Sequence, residues 1–197
     1  MPAKENRIIY SHIGLEGWNA SIEKYLSDGG YSVLAETVKR LREELCAEVE
    51  KSKIKGRGGA GFPTYVKYLK PENVDLFAVN AVECEPYLTA DYKNIEENLS
   101  LLKTGTLALF KLSKAKKGCI AIKEDKKKQI EDLKKTFEGT PIEIRTVPNI
   151  YPMGWERTLV YELTGKRYNM LPIEAGMILN NASTAIALGN AIDNGMP

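Results

Sequence analysis

KGRGGAGFPTYVK, residues 55–67, carries Gly56, Gly58 and Gly61 at the G-x-G-x-x-G spacing of a dinucleotide-binding turn, with Gly59 a fourth glycine within six residues. That spacing has a structural requirement. A strand must lead into the glycines and a helix must leave them, so that phosphate meets backbone N–H groups at the helix N-terminus. Upstream, Leu34, Val38, Leu41, Leu45 and Val49 recur at steps of four, three, four and four, with charged residues between them. This is the period of an amphipathic helix, running to the lysines of KSKIKG and stopped by Gly56. The glycines therefore follow a helix, and the strand–turn–helix reading fails on its first half. A Walker A reading fails too, since no Gly-Lys-Ser/Thr follows. Two readings remain: a tight packing turn, or a cradle whose side-chain-free amides meet a phosphate beside the cations Arg57 and Lys67 and the aromatic Phe62.

Beyond the glycines, Pro63 opens a short helix through Tyr65, Val66 and Leu69. DLFAVNA (75–81) is a buried strand, and a helix runs from about Asp91, its cap, to Leu112, with Gly105 weakening its middle. GCIAIK (118–123), a helix over 125–137 and the strand PIEIRTV (141–147) follow, then the helix WERTLVYELTG closed by Gly165, the short strand MILNN and the final helix ASTAIALGNAI. This alternation predicts an α/β fold: a mostly parallel sheet flanked by helices, Rossmann-like, with an N-terminal helical segment. We divide the chain into that segment, residues 1–54, and an α/β domain, residues 55–197, folding as one unit. Open parallel sheets bind ligands beyond the carboxyl ends of their strands. VNAVECEPY, TVPNIYPMGWE and LNNAST are the loops at those ends, and the glycine loop is expected to join them on one rim.

Composition narrows the classes. The chain has 197 residues, 43% of them hydrophobic and 27% charged, with a formal net charge of +2, which is ordinary for a globular protein and too mild to imply nucleic acid. Lys111 to Lys135 holds ten lysines against four acids. Without interleaved aromatics this stretch reads as a solvated face, and no nucleic acid is expected, although a nucleic-acid patch or a dock for an acidic protein are its alternatives. Cys46, Cys84 and Cys119 form no C-x-x-C pair, so neither a disulfide framework nor a metal site is expected. His12 is the single histidine, which leaves Cys84 without the partner a Cys–His nucleophile needs. MILNNASTAIALGNAI is too polar to span a bilayer, and the N-terminus has no signal-peptide core. A cytoplasmic location is expected.

In VNAVECEPY, Asn80, Glu83 and Glu85 stand directly after a strand, where they either bind a heterocycle or ribose or form a solvated acidic loop. In LNNAST, Asn180 and Asn181 precede a helix with Ser183 and Thr184 in its first turn, which presents amides and hydroxyls to an anion or caps the helix.

Read in order, GRGGAGFPTYVK, VNAVECEPYLTAD, YPMGWERTLVYELTGKR and ILNNAST resemble the flavin-binding domain shared by the NADH-oxidising flavoprotein of respiratory complex I and the C component of Rnf-type electron-transport complexes. ECEPY-x-T-A-D and YP-x-G-x-E are closer to the Rnf side, and SIEKYLSDGGYSVL to the entry helix of the complex I side. The resemblance implies FMN. Matched by position, Gly56, Arg57, Gly58 and Lys67 form the phosphate and isoalloxazine cradle, with Asn80, Glu83, Tyr151, Gly154, Asn180, Asn181 and Thr184 completing the cofactor site. Phe62, Glu85 and Glu156 are implied on the NADH side. The flavin carries the chemistry, so no catalytic side chain is implied. Val82 and Trp155 stand where the complex I flavoprotein has acids, and MLPIEAGMI is shorter than its counterpart.

The function implied is an FMN-binding electron-transfer module of an oxidoreductase, which accepts hydride from NAD(P)H and passes electrons to an iron–sulfur protein or subunit. Such a chain would sit peripherally on the cytoplasmic face of a membrane complex. Relatives continue beyond NAIDNGMP into β-grasp-like and cluster-bearing parts, so the chain is expected to be a separate small subunit or part of a longer one. A flavin-free docking or assembly module that keeps the fold is the alternative.

Overall fold

The computed structural model describes residues 16, 17, 19, 21–27, 39–69 and 71–194. Four parallel strands make the sheet: β1 (Leu76–Ala81), β2 (Lys117–Lys123), β3 (Ile142–Val147) and β4 (Met177–Asn181), in the order β3-β2-β1-β4. Around it stand α1 (Ile22–Ser27), α2 (Arg42–Lys51), α3 (Ala90–Glu97), α4 (Leu99–Ser113), α5 (Lys127–Thr136), α6 (Glu156–Thr164) and α7 (Ala182–Asn194), with 3-10 turns at Thr64–Tyr68 and Pro172–Ala175.

The chain builds outward from β1 to β2 and β3, then crosses back to place β4 on the other side of β1. The order therefore reverses between β1 and β4, which makes that gap the topological switch point. Helices cover both faces because the connections run outward from β1 to β3 and then back to β4, and right-handed crossovers in opposite directions lie on opposite sides of a sheet. Phe77, Val79, Ala81, Ile120, Ile122 and Ile178 point to the face packed by α2 to α5 and α7. Leu76, Ala78, Cys119, Ala121, Met177 and Leu179 point to the face packed by α6 and the second 3-10 turn. Central in the sheet and covered on both sides, β1 and β2 read as near-continuous apolar runs. The edge strand β3 exposes Glu143 and Thr146.

Several elements differ from the sequence expectation. Leu34 and Val38 lie outside the described residues, and Leu41 is the cap of α2 at 66% exposure instead of a core residue. Leu45 and Val49 do enter the core, and Arg42 ties α2 down by donating from Nε to the Leu112 carbonyl at 3.3 Å and from Nη2 to the Tyr68 carbonyl. The long helix expected over 91–112 is two helices broken at Asn98. There the backbone leaves the helical region (φ −133°, ψ 38°) and the side chain folds back onto Asn94, donating from Nδ2 to the carbonyl O at 3.0 Å and to Oδ1 at 2.9 Å. Asp91 lies in the first turn of α3, after Thr89 at the cap position.

Gly105 is a contact surface, not a weak spot. A Cβ at Gly105 would lie 1.8 Å from the Ala185 carbonyl oxygen, and one at Gly189 would lie 2.0 Å from that of Leu101. The two glycines let the backbones of α4 and α7 touch, which sets α7 and the β4–α7 junction at a fixed height on the sheet. The lysine stretch is spread over the end of α4, both ends of β2 and α5. Its charges lie outward while Ile130, Leu133 and Phe137 are buried, and Glu96 of α3 takes Lys93 at 2.9 Å and Lys128 at 3.8 Å.

Candidate functional site

The glycine loop is closed at its base before it reaches the sheet. Gly56 N donates to the Phe62 carbonyl at 2.8 Å and Thr64 N to that of Ile54 at 3.0 Å, with Lys55 and Pro63 paired as an antiparallel bridge. The loop enters from α2 and leaves into the first 3-10 turn, so it lies outside the strand–helix succession of the sheet. Even so, it reaches the switch point. Arg57 N donates to Thr184 Oγ1 at 2.8 Å, and a Cβ on Gly58 would meet Asn181 Cβ at 3.5 Å. Helix α7 thus spends a first-turn hydroxyl on the loop, and residues separated by 127 positions are pinned together.

Past Arg57 the loop is bare. Gly59 (φ 110°) and Gly61 (φ 60°) take backbone conformations that L side chains disfavour, and nothing lies within 4 Å of where their Cβ atoms would be. The amides of Gly58, Gly59 and Gly61 meet no acceptor among the described residues. Open space over unbonded amides, with the exposed Arg57 beside them, is a cradle for an anion.

From below, Lys67 reaches the end of β4 and donates from Nζ to the Leu179 carbonyl at 2.6 Å. Burial lowers its proton affinity, and the Glu156 carboxylate partly restores it. Asn180 is buried at 4% exposure and donates from Nδ2 to the Tyr68 hydroxyl, so its side chain braces the 3-10 turn beneath the loop. Asn181 points to the rim instead, where Nδ2 donates to Asp91 Oδ2 at 2.9 Å and Oδ1 accepts the Ser183 amide at 2.8 Å. Asp91 Oδ1 also accepts from Ser183 Oγ at 2.7 Å.

The loop after β1 forms the second wall. Asn80 donates from Nδ2 to the Gly154 carbonyl at 2.9 Å and accepts from the Val82 amide at 2.9 Å, which fastens the 151–156 turn to the end of β1. No other residue type fits at 154, since a Cβ there would lie 2.2 Å from the Val82 carbonyl oxygen and 2.8 Å from Cys84 Cβ. Glu83 has one oxygen committed, as Oε2 accepts the Asp91 amide at 2.8 Å at the start of α3. Glu85 is exposed and close enough to Tyr151 to help raise its hydroxyl pKa, after desolvation. Tyr151 and Trp155 meet edge to face at 5.7 Å, both more than half exposed, and Phe62 is 41% exposed on the glycine loop. Glu156 opens α6 and accepts from the Tyr168 hydroxyl at 2.9 Å.

All the elements carrying the sequence-derived residues converge on the carboxyl rim at the β1–β4 gap. Asn180 takes part as a buried support. Sequence reasoning missed Tyr68 and Tyr168, named Ser183 only as a first-turn hydroxyl, and read Asp91 as a helix cap when its carboxylate ties α3 to α7. The only local signals were the T-A-D and G-K-R-Y strings, which say nothing about distant partners.

The donor set suits a phosphorylated flavin: bare amides and Arg57 for a phosphate, Lys67 and the asparagine-lined floor for a polar ring edge, and Phe62, Tyr151 and Trp155 as flat apolar edges. Away from this wall, burial raises the Cys46 pKa and pushes that of Cys119 up to about 11, which disfavours the thiolate at both. Among the described residues, no group of three or more His, Cys, Asp and Glu side chains could hold a metal ion, and no helix is long and apolar enough to cross a membrane.

Residues 49–190 match the family described as the Nuo51 FMN-binding domain. The chain is 38% identical over 159 residues to the C component of the proton-translocating ferredoxin:NAD(+) oxidoreductase complex of Clostridium ljungdahlii, covering 79% of this chain and 35% of that protein. It is 36% identical over 161 residues to the C component of the ion-translocating oxidoreductase complex of Erwinia tasmaniensis, covering 79% of this chain and 20% of that one. It therefore spans about a third or less of these relatives. Among solved structures, a chain of an NAD+-reducing NiFe hydrogenase in the H2-reduced state superposes with a TM-score of 0.73 at 20% identity, covering 89% of this chain and 35% of that chain. The air-oxidized state gives 0.73 at 21%.

Proposed function

The chain belongs to the Nuo51 FMN-binding domain family, and from that premise we propose that it is an electron-transfer module that accepts hydride from NAD(P)H at FMN and hands electrons on to an iron–sulfur partner. The observation that carries this reading is the bare glycine loop docked on Thr184 and Asn181 at the sheet's switch point. Bound there, FMN supplies the two-electron to one-electron conversion; the protein supplies orientation, charge and exclusion of water.

The residues divide the work. Gly58, Gly59 and Gly61 offer amides to the phosphate, and Arg57 adds a cation. Lys67, fixed by the Leu179 carbonyl, presents positive charge to the polar edge of the ring, where it favours added electron density. Asn80 and Gly154 hold the two walls at constant width. Glu85 and Glu156 stand at the open side as acceptors for a nicotinamide ribose or carboxamide, and Phe62 offers a stacking face. Partner subunits are proposed by extension from the complexes named for the relatives, with the chain peripheral to any membrane component.

Titrating the purified chain with FMN tests the reading. Quenched flavin fluorescence at micromolar FMN, followed by anaerobic bleaching of the bound flavin by NADH, is the expected result. No uptake would remove the proposal. Uptake without bleaching by NADH or NADPH would leave a flavin carrier without the hydride step.

A further inference from the structure

Tyr68 is the last residue of the first 3-10 turn and Leu112 lies in the last turn of α4, so neither carbonyl finds a partner inside its own helix. One side chain serves both. Arg42 donates from Nε to the Leu112 carbonyl at 3.3 Å and from Nη2 to the Tyr68 carbonyl, and the Cys46 thiol, one turn further along α2, donates to that second oxygen at 3.8 Å. The guanidinium charge suits both places, since the terminal carbonyls of a helix carry the negative end of its dipole.

The turn held in this way carries Lys67. Its ammonium rests on one hydrogen bond, to the Leu179 carbonyl at 2.6 Å, at the end of a flexible four-carbon stem. Its place therefore depends on how firmly the backbone beneath it is fixed. Tyr68, the next residue, is fully buried and fixed from two directions. In front, its hydroxyl accepts from Asn180 Nδ2, so consecutive residues of the turn land on consecutive residues of β4; behind, its carbonyl is taken by Arg42. The rear anchor is braced in turn. Lys111 Nζ donates to the Arg40 carbonyl at 2.8 Å, which holds the start of α2 to the end of α4, and α4 lies directly against α7, the helix that follows β4. A frame of α2, α4, α7 and β4 thus closes around one short turn.

From this geometry we infer that Arg42, on a helix that supplies none of the residues assigned to the cofactor, is a positioning residue: by tying the Tyr68 carbonyl to the end of α4, it fixes the root of Lys67 and keeps the ammonium beside the end of β4. Lysine cannot replace it, because a single ammonium lacks the planar fork with which Nε and Nη2 reach two carbonyls at once. That Lys67 then meets a flavin rests on the function proposed above; the hold on Lys67 is a property of the chain alone. An Arg42 that only packed α2 onto the core would weaken folding whatever side chain stood at position 67. The role inferred here depends on the lysine.

The experiment is a double-mutant cycle read by FMN affinity, measured from fluorescence quenching, with Arg42→Lys made in the wild-type and in the Lys67→Met backgrounds. Arg42→Lys is expected to weaken FMN roughly fivefold when Lys67 is present and less than about twofold when residue 67 is methionine. Equal losses in both backgrounds, or no loss in either, would overturn the inference. Acetylation of the ligand-free proteins, followed by mass spectrometry, gives the flavin-independent reading. Lys67 is expected to react about threefold faster, or more, in Arg42→Lys than in the wild type, while the exposed Lys55 keeps its rate. An unchanged Lys67 rate overturns the inference even if FMN binding weakens. If the wild type takes up no FMN, the flavin reading fails by itself and the acetylation rates still decide the hold on Lys67. Should Arg42→Lys not fold, Tyr68→Phe, which removes the front anchor and keeps the rear one, is expected to show the same dependence on residue 67; equal losses there overturn the inference.

Discussion

Gly154→Ala gives the most direct test of how the site is walled. The residue's φ is not in the left-handed region, so alanine meets no backbone strain and the whole cost is contact. Its Cβ would lie 2.2 Å from the Val82 carbonyl oxygen, about 1.1 Å inside the closest comfortable carbon–oxygen approach of about 3.3 Å, and 2.8 Å from Cys84 Cβ. Neither neighbour is the free end of a flexible chain, so the 153–155 backbone has to move. Overpacking of this kind costs about 1–3 kcal/mol. The shift also pulls the Gly154 carbonyl from Asn80 Nδ2, a hydrogen bond worth about 0.5–1.5 kcal/mol. The expected loss is therefore roughly 2–4 kcal/mol in urea unfolding, with FMN affinity falling at least tenfold as the wall moves. Gly165→Ala is the control: it has a positive φ of 69° but open space around its Cβ, and should cost about 1–2 kcal/mol while leaving FMN affinity alone. A Gly154→Ala protein within about 0.5 kcal/mol of wild type and with unchanged FMN affinity would refute the claim that close approach fixes this turn.

Gly105→Ala should destabilise despite the roughly 1 kcal/mol gain in helix propensity, because its Cβ would lie 1.8 Å from the Ala185 carbonyl oxygen; a higher melting temperature would refute the direct contact of α4 with α7. Asp91→Ala strips acceptors from Asn181 and Ser183 and should cost about 1–3 kcal/mol in chemical denaturation, with weaker FMN binding. Lys67→Met should lose FMN affinity and change the alkaline stability profile. Burial holds the folded-state pKa of Lys67 below its ordinary value of 10.5, so between the two values the unfolded chain binds more protons and this group's contribution to stability rises with pH. Buried tyrosines such as Tyr68, whose pKa desolvation raises from 10.0, oppose it above that pH. The wild-type minus variant difference isolates Lys67 and should climb on approach to 10.5; a flat difference would show that the ammonium is not desolvated.

What the sequence determined by itself is what depends on neighbours a few positions apart. The apolar runs at 76–81 and 118–122, the helices they alternate with and the glycine at 165 specify strands, helices and a helix end through local periodicity and backbone conformation, so the parallel α/β class was legible. The four motifs in order also exposed the family. The tertiary structure alone decided whatever depends on contact between remote segments. The glycine loop does not follow a strand, yet Thr184 carries it to the switch point. Gly105 looked like a defect in a helix because its partner, Ala185, is eighty positions away. Asp91 looked like a cap because Asn181 and Ser183 stand 90 and 92 positions further along the chain, and Tyr168 gave no signal because its bond to Glu156 closes only after α6 turns back. Hydrogen bonds and steric contacts act over a few ångströms in space, whatever the separation along the chain.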